Sequence, residues 1–212
     1  MADELEALEL RARRADSEAL AEFFRLQRSR LWRMVNFRLD RRLKARIDPD
    51  DVLQEAYLDA AARLGHYEGD CPAALFTWLR MIVKQTLINA HRRHMGAAMR
   101  DAAREATVRD APFSGTTSAS LTRALVGDLT SPSEAAMRAE LAERAQDALE
   151  RMDPIDREVL ALRHFEELTN SEVARELGIQ PKAASIRYVR AIRRLKEILA
   201  QLPGFFTETR DA

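Results

Sequence analysis

Apolar residues in this chain recur at three- and four-residue intervals, the spacing that puts them on one side of a helix. From Asp48 to Leu64, Leu53, Ala56, Tyr57, Ala60 and Leu64 share a face and predict a core stripe. Asp48 can cap that helix, Pro49 suits its first position, and Asp50 and Asp51 suit the positive end of its dipole. The opposite face carries Asp51, Glu55 and Leu58 with Gln54 at its edge, an outward leucine among acids that fits docking by a basic helical partner. Gly65 and Gly69 bracket a loop, His66 to Pro72, before a helix from about Ala73 to His94. Its predicted buried stripe is Leu75, Leu79, Ile82, Val83, Thr86 and Ala90.

Nearer the C-terminus, Asp153-Pro154 predicts a helix through about Glu166. Thr169 and Glu172 then form a capping box for a short helix, Asn170 to Leu177, which Gly178 stops. Pro181 restarts a helix to about Leu199, with Ala184, Tyr188, Ala191, Leu195 and Leu199 as its core line. A small Ala174 at the fifth position and Gly178 at the ninth are the spacing of a helix-turn-helix. Between Pro112 and Ser133, 13 of 22 residues are Ser, Thr, Gly or Pro. Such a stretch buries little and reads as a flexible linker. The predicted organisation is all-α, with two small helical domains: residues 1–95, a linker over 96–133, a second domain over 134–202 and a tail over 203–212.

Composition supports that class. In 212 residues there are only 7 Gly and 6% aromatics, against the usage of strand-rich sandwiches and barrels. One cysteine, Cys71, excludes a disulfide framework, and Cys71 with His66, His91 and His94 is too scattered for a metal site; no metal or other cofactor is expected. No apolar run approaches the ~20 residues that cross a bilayer, and the acidic start lacks the order of a secretory signal. No membrane partner and a cytoplasmic location are the expectation.

The 34 basic and 34 acidic residues cancel, but in blocks. Residues 23–46 hold nine bases and one acid; 134–176 hold twelve acids and six arginines; 181–196 hold six bases and no acid. Local basic surface is enough for phosphate, whatever the net charge. On the 73–94 helix, Arg80, Lys84 and His91 form one polar stripe and Trp78, Gln85, Asn89 and Arg92 another. Cations that follow a backbone, an aromatic ring that stacks and amides that pair with base edges suit single-stranded nucleic acid. On the last helix, Lys182, Ile186, Arg190 and Arg193, flanked by Arg187 and Arg194, face away from the core line. Those side chains suit a major groove, with Ile186 placed for a thymine methyl. No phosphate-cradling Gly loop, HExxH or G-x-S-x-G is present, so no catalytic residue is nominated and the chain is read as a non-enzyme.

Two segments resemble one family, the extracytoplasmic-function sigma factors of bacterial RNA polymerase. Asp48-Pro49-Asp50-Asp51-Val52-Leu53-Gln54-Glu55-Ala56-Tyr57-Leu58 is similar to the family's polymerase-binding helix. Trp78-Leu79 with Lys84, Asn89, Arg92 and Arg93 resembles its promoter-melting and minus-ten-reading helix. Asp156-Arg157-Glu158-Val159-Leu160, Leu177-Gly178-Ile179 and the run to Arg187 and Arg190 resemble its minus-thirty-five module. The resemblance implies an initiation factor that binds core polymerase, selects promoters and promotes melting. Asp51, Gln54, Glu55 and Leu58 would hold the clamp coiled coil of the largest subunit. Trp78, Arg80, Lys84, Gln85, Asn89, Arg92 and Arg93 would meet unpaired minus-ten DNA. Lys182, Ser185, Ile186, Arg187, Arg190, Arg193 and Arg194 would meet duplex at minus thirty-five. An anti-sigma factor is a further implied partner. Pro181, Ser185 and Ile186 depart from the family's commoner residues at the start of the recognition helix. The competing reading is a stand-alone helix-turn-helix transcriptional regulator, which leaves the acidic face and the 73–94 helix without a task.

Overall fold

The computed structural model describes residues 2–39, 43, 46–69, 74–94, 113–126 and 135–201. Every regular element among them is helical. The chain divides into two compact units, residues 1–109 and 110–212.

In the first unit, α1 (Ala2–Ala12) turns at Ala15, which has a positive φ of 58°, into α2 (Ser17–Arg38). Asp16 caps α2 by accepting from the backbone N–H groups of Glu18 and Ala19. Asp48 caps α3 (Pro49–Arg63) through the N–H of Asp50 at 2.9 Å, with Pro49 in the first turn. A single 3₁₀ turn, Leu64–His66, leads toward α4 (Ala74–His94). Helices α2, α3 and α4 pack on one another around Leu20, Leu31, Leu53, Leu75, Leu79 and Leu87, all nearly inaccessible to solvent. The buried stripe of α4 is wider than its apolar periodicity predicts, taking in Phe76, Arg80 and Leu87 as well.

The second unit corrects the linker expectation over 113–126, where a helix, α5 (Phe113–Val126), packs on α6 (Ala135–Glu150) and α7 (Pro154–Leu160). Thr117, Ser118, Ser120 and Leu121 are buried there. The hydroxyls that argue for solvation serve as internal partners instead. Thr117 donates to Glu158 at 2.8 Å, and the buried Arg157 donates to Ser118 Oγ at 2.8 Å and to the Leu149 carbonyl at 3.2 Å. Small hydroxyl side chains thus let the helix approach and give two charged groups a hydrogen-bond partner at once. The rest of the expected linker and the 203–212 tail lie outside the described residues.

Helix α7 ends at Leu160, earlier than the expected Glu166, and continues as a wider π turn over Ala161–Phe165. Glu167 takes a positive φ of 56° and the chain reverses into α8 (Asn170–Leu177). Thr169 and Glu172 make the reciprocal capping box, and Gly178 sits in the left-handed region at φ 62°. Glycine enters that region without the clash a Cβ brings, which allows the tight turn into α9 (Pro181–Ala200). Asn170 Nδ2 donates to the Pro181 carbonyl at 2.8 Å, tying the start of one helix to the start of the next. Ala184, Ala191, Leu195 and Ile198 are the buried line of α9; Tyr188 and Leu199 are only half-buried.

Candidate nucleic-acid and polymerase interfaces

On α3 the cap and core stripe fix which residues face outward. Val52, Leu53, Ala56 and Ala60 are buried, and Asp51, Gln54, Glu55 and Leu58 are exposed together on the other side. Leu58 is 61% exposed, the most exposed large apolar side chain among the described residues. Glu55 accepts from Arg93 of α4 at 2.7 Å, so a residue assigned to polymerase and one assigned to the minus-ten strand form one ion pair. With both partners about half exposed, that pair is worth no more than about 1 kcal/mol and can be exchanged for outside contacts.

Helix α4 presents a narrower polar face than its sequence predicts. Asn89, Arg92 and Arg93 are exposed, Lys84 and Gln85 half-buried, and Gln85 donates to Asn89 at 3.1 Å. Arg80 is corrected: it is 2% exposed and cannot meet a strand from the outer face. Its position shares a helical row with the buried Phe76, Val83 and Leu87, a row that the charge of residue 80 conceals. Trp78 is half-buried, its ring 5.1 Å from that of Tyr67.

Tyr67 belongs to a network absent from the sequence expectations. Its hydroxyl donates to Glu9 Oε1 at 3.2 Å, and the Leu75 N–H, in the first turn of α4, donates to the same oxygen at 3.2 Å. Arg13 stands 3.7 Å from it. Burial and the neighbouring Glu9 push the Tyr67 hydroxyl pKa well above the usual phenol range. The ring lies so close to Gly69 that a Cβ there would come within 2.0 Å of the Tyr67 oxygen. Glu9 therefore joins α1 to both the loop before α4 and the start of α4. The signal was in the sequence: Glu9 stands four residues after Leu5 and one after Leu8, inside α1's inward row. Residues 70–72 of that loop, Cys71 included, lie outside the described residues, as does the side chain of His94. Among the described residues no three His, Cys, Asp or Glu gather as a metal site.

On α9, Lys182, Ser185, Ile186, Arg190, Arg193 and Arg194 are exposed, and Ile186 and Val189 are each 58% exposed. Arg187 is only 26% exposed. The expected set of outward cations is corrected in one respect. Asp156, 5% exposed on α7, accepts from Arg187 Nη1 at 2.8 Å and from Arg190 Nε and Nη2 at 2.6 and 2.8 Å. Burial pushes the Asp156 pKa up, but the hydrogen bonds and charges of Arg190 and Arg187 outweigh it and hold the group below its usual range. Arg194 pairs with Glu197 at 2.9 Å.

A short capped helix, a left-handed glycine and a longer basic helix clasped to it define unit two as a helix-turn-helix module within an all-α protein. Residues 142–195 match the family model described as sigma-70, region 4. The RNA polymerase sigma-H factor of Pseudomonas aeruginosa is 30% identical over 128 residues, 60% of this chain. The chain in turn spans about 60% of the length of that curated relative. The solved structure of CnrH in complex with the cytosolic domain of CnrY is similar with a TM-score of 0.51 at 19% identity, over 94% of this chain and 98% of that one, a likeness of fold. Residues 142–195 are thus similar to sigma-70 region 4, and the fold over most of the chain is like that of CnrH.

Proposed function

We propose that this protein is a transcription initiation factor that binds bacterial core RNA polymerase, directs it to particular promoters and promotes melting of the DNA there. The observation that carries the reading is the outward row of Asp51, Gln54, Glu55 and Leu58 on a unit separate from the helix-turn-helix. A regulator that only binds duplex has no use for an exposed leucine set among acids. The clamp coiled coil of the polymerase's largest subunit, a basic helical target, is the matching partner.

Trp78, Lys84, Gln85, Asn89, Arg92 and Arg93 would take the unpaired minus-ten strand, without Arg80. Affinity for an already unstacked strand favours the melted state over the closed one without ATP, because only differential affinity shifts such an equilibrium. Lys182, Ser185, Ile186, Arg190, Arg193 and Arg194 would meet the minus-thirty-five duplex. The factor does no covalent chemistry of its own in this reading and works where the polymerase is, in the cytoplasm. CnrH is solved with the cytosolic domain of CnrY, and a protein partner of that sort, an anti-sigma factor, belongs to the proposal.

The test is co-purification with core polymerase of the wild type and of the double variant Asp51→Lys, Glu55→Lys. Both sites are exposed, so the fold should survive. Binding at least tenfold weaker, with unchanged helicity, is expected; equal recovery of both proteins would remove the docking face.

A further inference from the structure

The outward arginines of α9 are not equivalent. Arg193 is exposed, whereas Arg187 and Arg190 share one buried carboxylate, Asp156, contributed by a different helix. Arg190 spends its Nε and Nη2 edge on Asp156 in a bidentate fork, yet remains 55% exposed. A guanidinium has a second, end-on edge, formed by Nη1 and the other hydrogen of Nη2. With the first edge fixed on Asp156, the second is restricted in orientation, on a side chain that stays more than half exposed.

Resting on the duplex-binding reading above, we propose that Asp156 is a positioning residue for sequence recognition: it holds Arg190 so that its end-on edge reads a base, and retires Arg187 from DNA contact. Two parallel N–H groups in a fixed plane match the O6 and N7 acceptors of guanine, the bidentate contact that loose cations make poorly. Arg187 points at the same carboxylate and also lies 3.5 Å from Asp153, so its charge is neutralised within the protein. Asp156 thereby exchanges phosphate attraction for selectivity. An arginine held before binding loses less freedom on contact, and a carboxylate near the DNA opposes indiscriminate phosphate binding.

That exchange separates positioning from simple structural support, because the two kinds of DNA binding move in opposite directions. The experiment uses the full chain. A preferred duplex is selected from a random pool, and affinities for it and for a random-sequence duplex are measured against salt for the wild type, Asp156→Asn, Arg190→Lys and Asp156→Asn combined with Arg190→Ala. Asp156→Asn should bind the selected duplex about tenfold more weakly. It should bind random duplex a few-fold more strongly, with a steeper salt dependence. Arg190→Lys keeps the charge and leaves Asp156 with Arg187, but lacks the fork. It should lose about tenfold on the selected duplex and stay within about twofold on random duplex. Adding Arg190→Ala to Asp156→Asn should cost little further affinity for the selected duplex.

Should Asp156→Asn unfold the second unit, Arg190→Lys decides alone. Retained selective affinity in Arg190→Lys, or a parallel rise of both affinities in a folded Asp156→Asn, overturns the positioning role. If the wild type selects no sequence at all, the duplex-binding reading of this unit has failed, and the role of Asp156 falls with it.

Discussion

Replacing Glu9 by alanine removes the acceptor for two buried donors at once, the Tyr67 hydroxyl and the Leu75 N–H. Tyr67 is 6% exposed and Leu75 fully buried, so water has poor access to either group. Leaving a buried donor unsatisfied costs about 1–3 kcal/mol, so the pair predicts a loss of about 2–6 kcal/mol for the first unit. A small domain holds only about 5–15 kcal/mol in total, which makes this a large fraction. The chain's two tryptophans, Trp32 and Trp78, both lie in that unit, so tryptophan fluorescence in a urea titration follows its unfolding without the other. At the usual urea slope of about 1–3 kcal/mol per molar, the midpoint should fall by about 1 M or more. Glu9→Gln keeps an oxygen in place and should lose less than half as much. A loss below about 1 kcal/mol for Glu9→Ala, at unchanged slope, would show that Glu9 does not brace the loop and α4.

The same network predicts that Gly69→Ala, whose Cβ would meet the Tyr67 hydroxyl, displaces that ring and lowers first-unit stability by about 1–3 kcal/mol in the same titration. Gly65→Ala is the control, since nothing lies within 4 Å of a Cβ there. Asp156 supplies the pH dependence. Its folded pKa lies below the unfolded value, so its contribution is whole above the ordinary carboxylate range and is lost as pH falls through the lowered pKa. Acid titration of helicity should show the wild type losing second-unit stability below about pH 4 more steeply than Asp156→Asn, and parallel curves would refute the linkage.

What could be read from the chain follows from how local each feature is. Asp48-Pro49, the Thr169–Glu172 box and Gly178 act within a few residues, and the structure has each doing what its spacing implies. The outward row Asp51, Gln54, Glu55 and Leu58 is likewise a matter of helical period. Arg80 reads as a surface residue because it is charged, although its row on α4 is otherwise apolar and buried. The 113–126 helix was hidden by composition: hydroxyl side chains read as solvated where Glu158 and Arg157, about 40 residues away, are their partners. Asp156 and Arg190 stand 34 residues apart, and Glu9 and Leu75 stand 66 apart. No periodicity links such pairs; tertiary packing alone brings them together.

The central claim is that one unit binds polymerase and an opened strand while the other binds duplex. It is tested most directly by transcription in vitro with bacterial core polymerase on a promoter-bearing genomic library, with and without this protein. Transcripts that start at defined positions only when the protein is added, and at the same positions on premelted templates, are the predicted result. Core polymerase that starts no more selectively in its presence, or a protein that merely lowers transcription by a complete holoenzyme, would contradict the account.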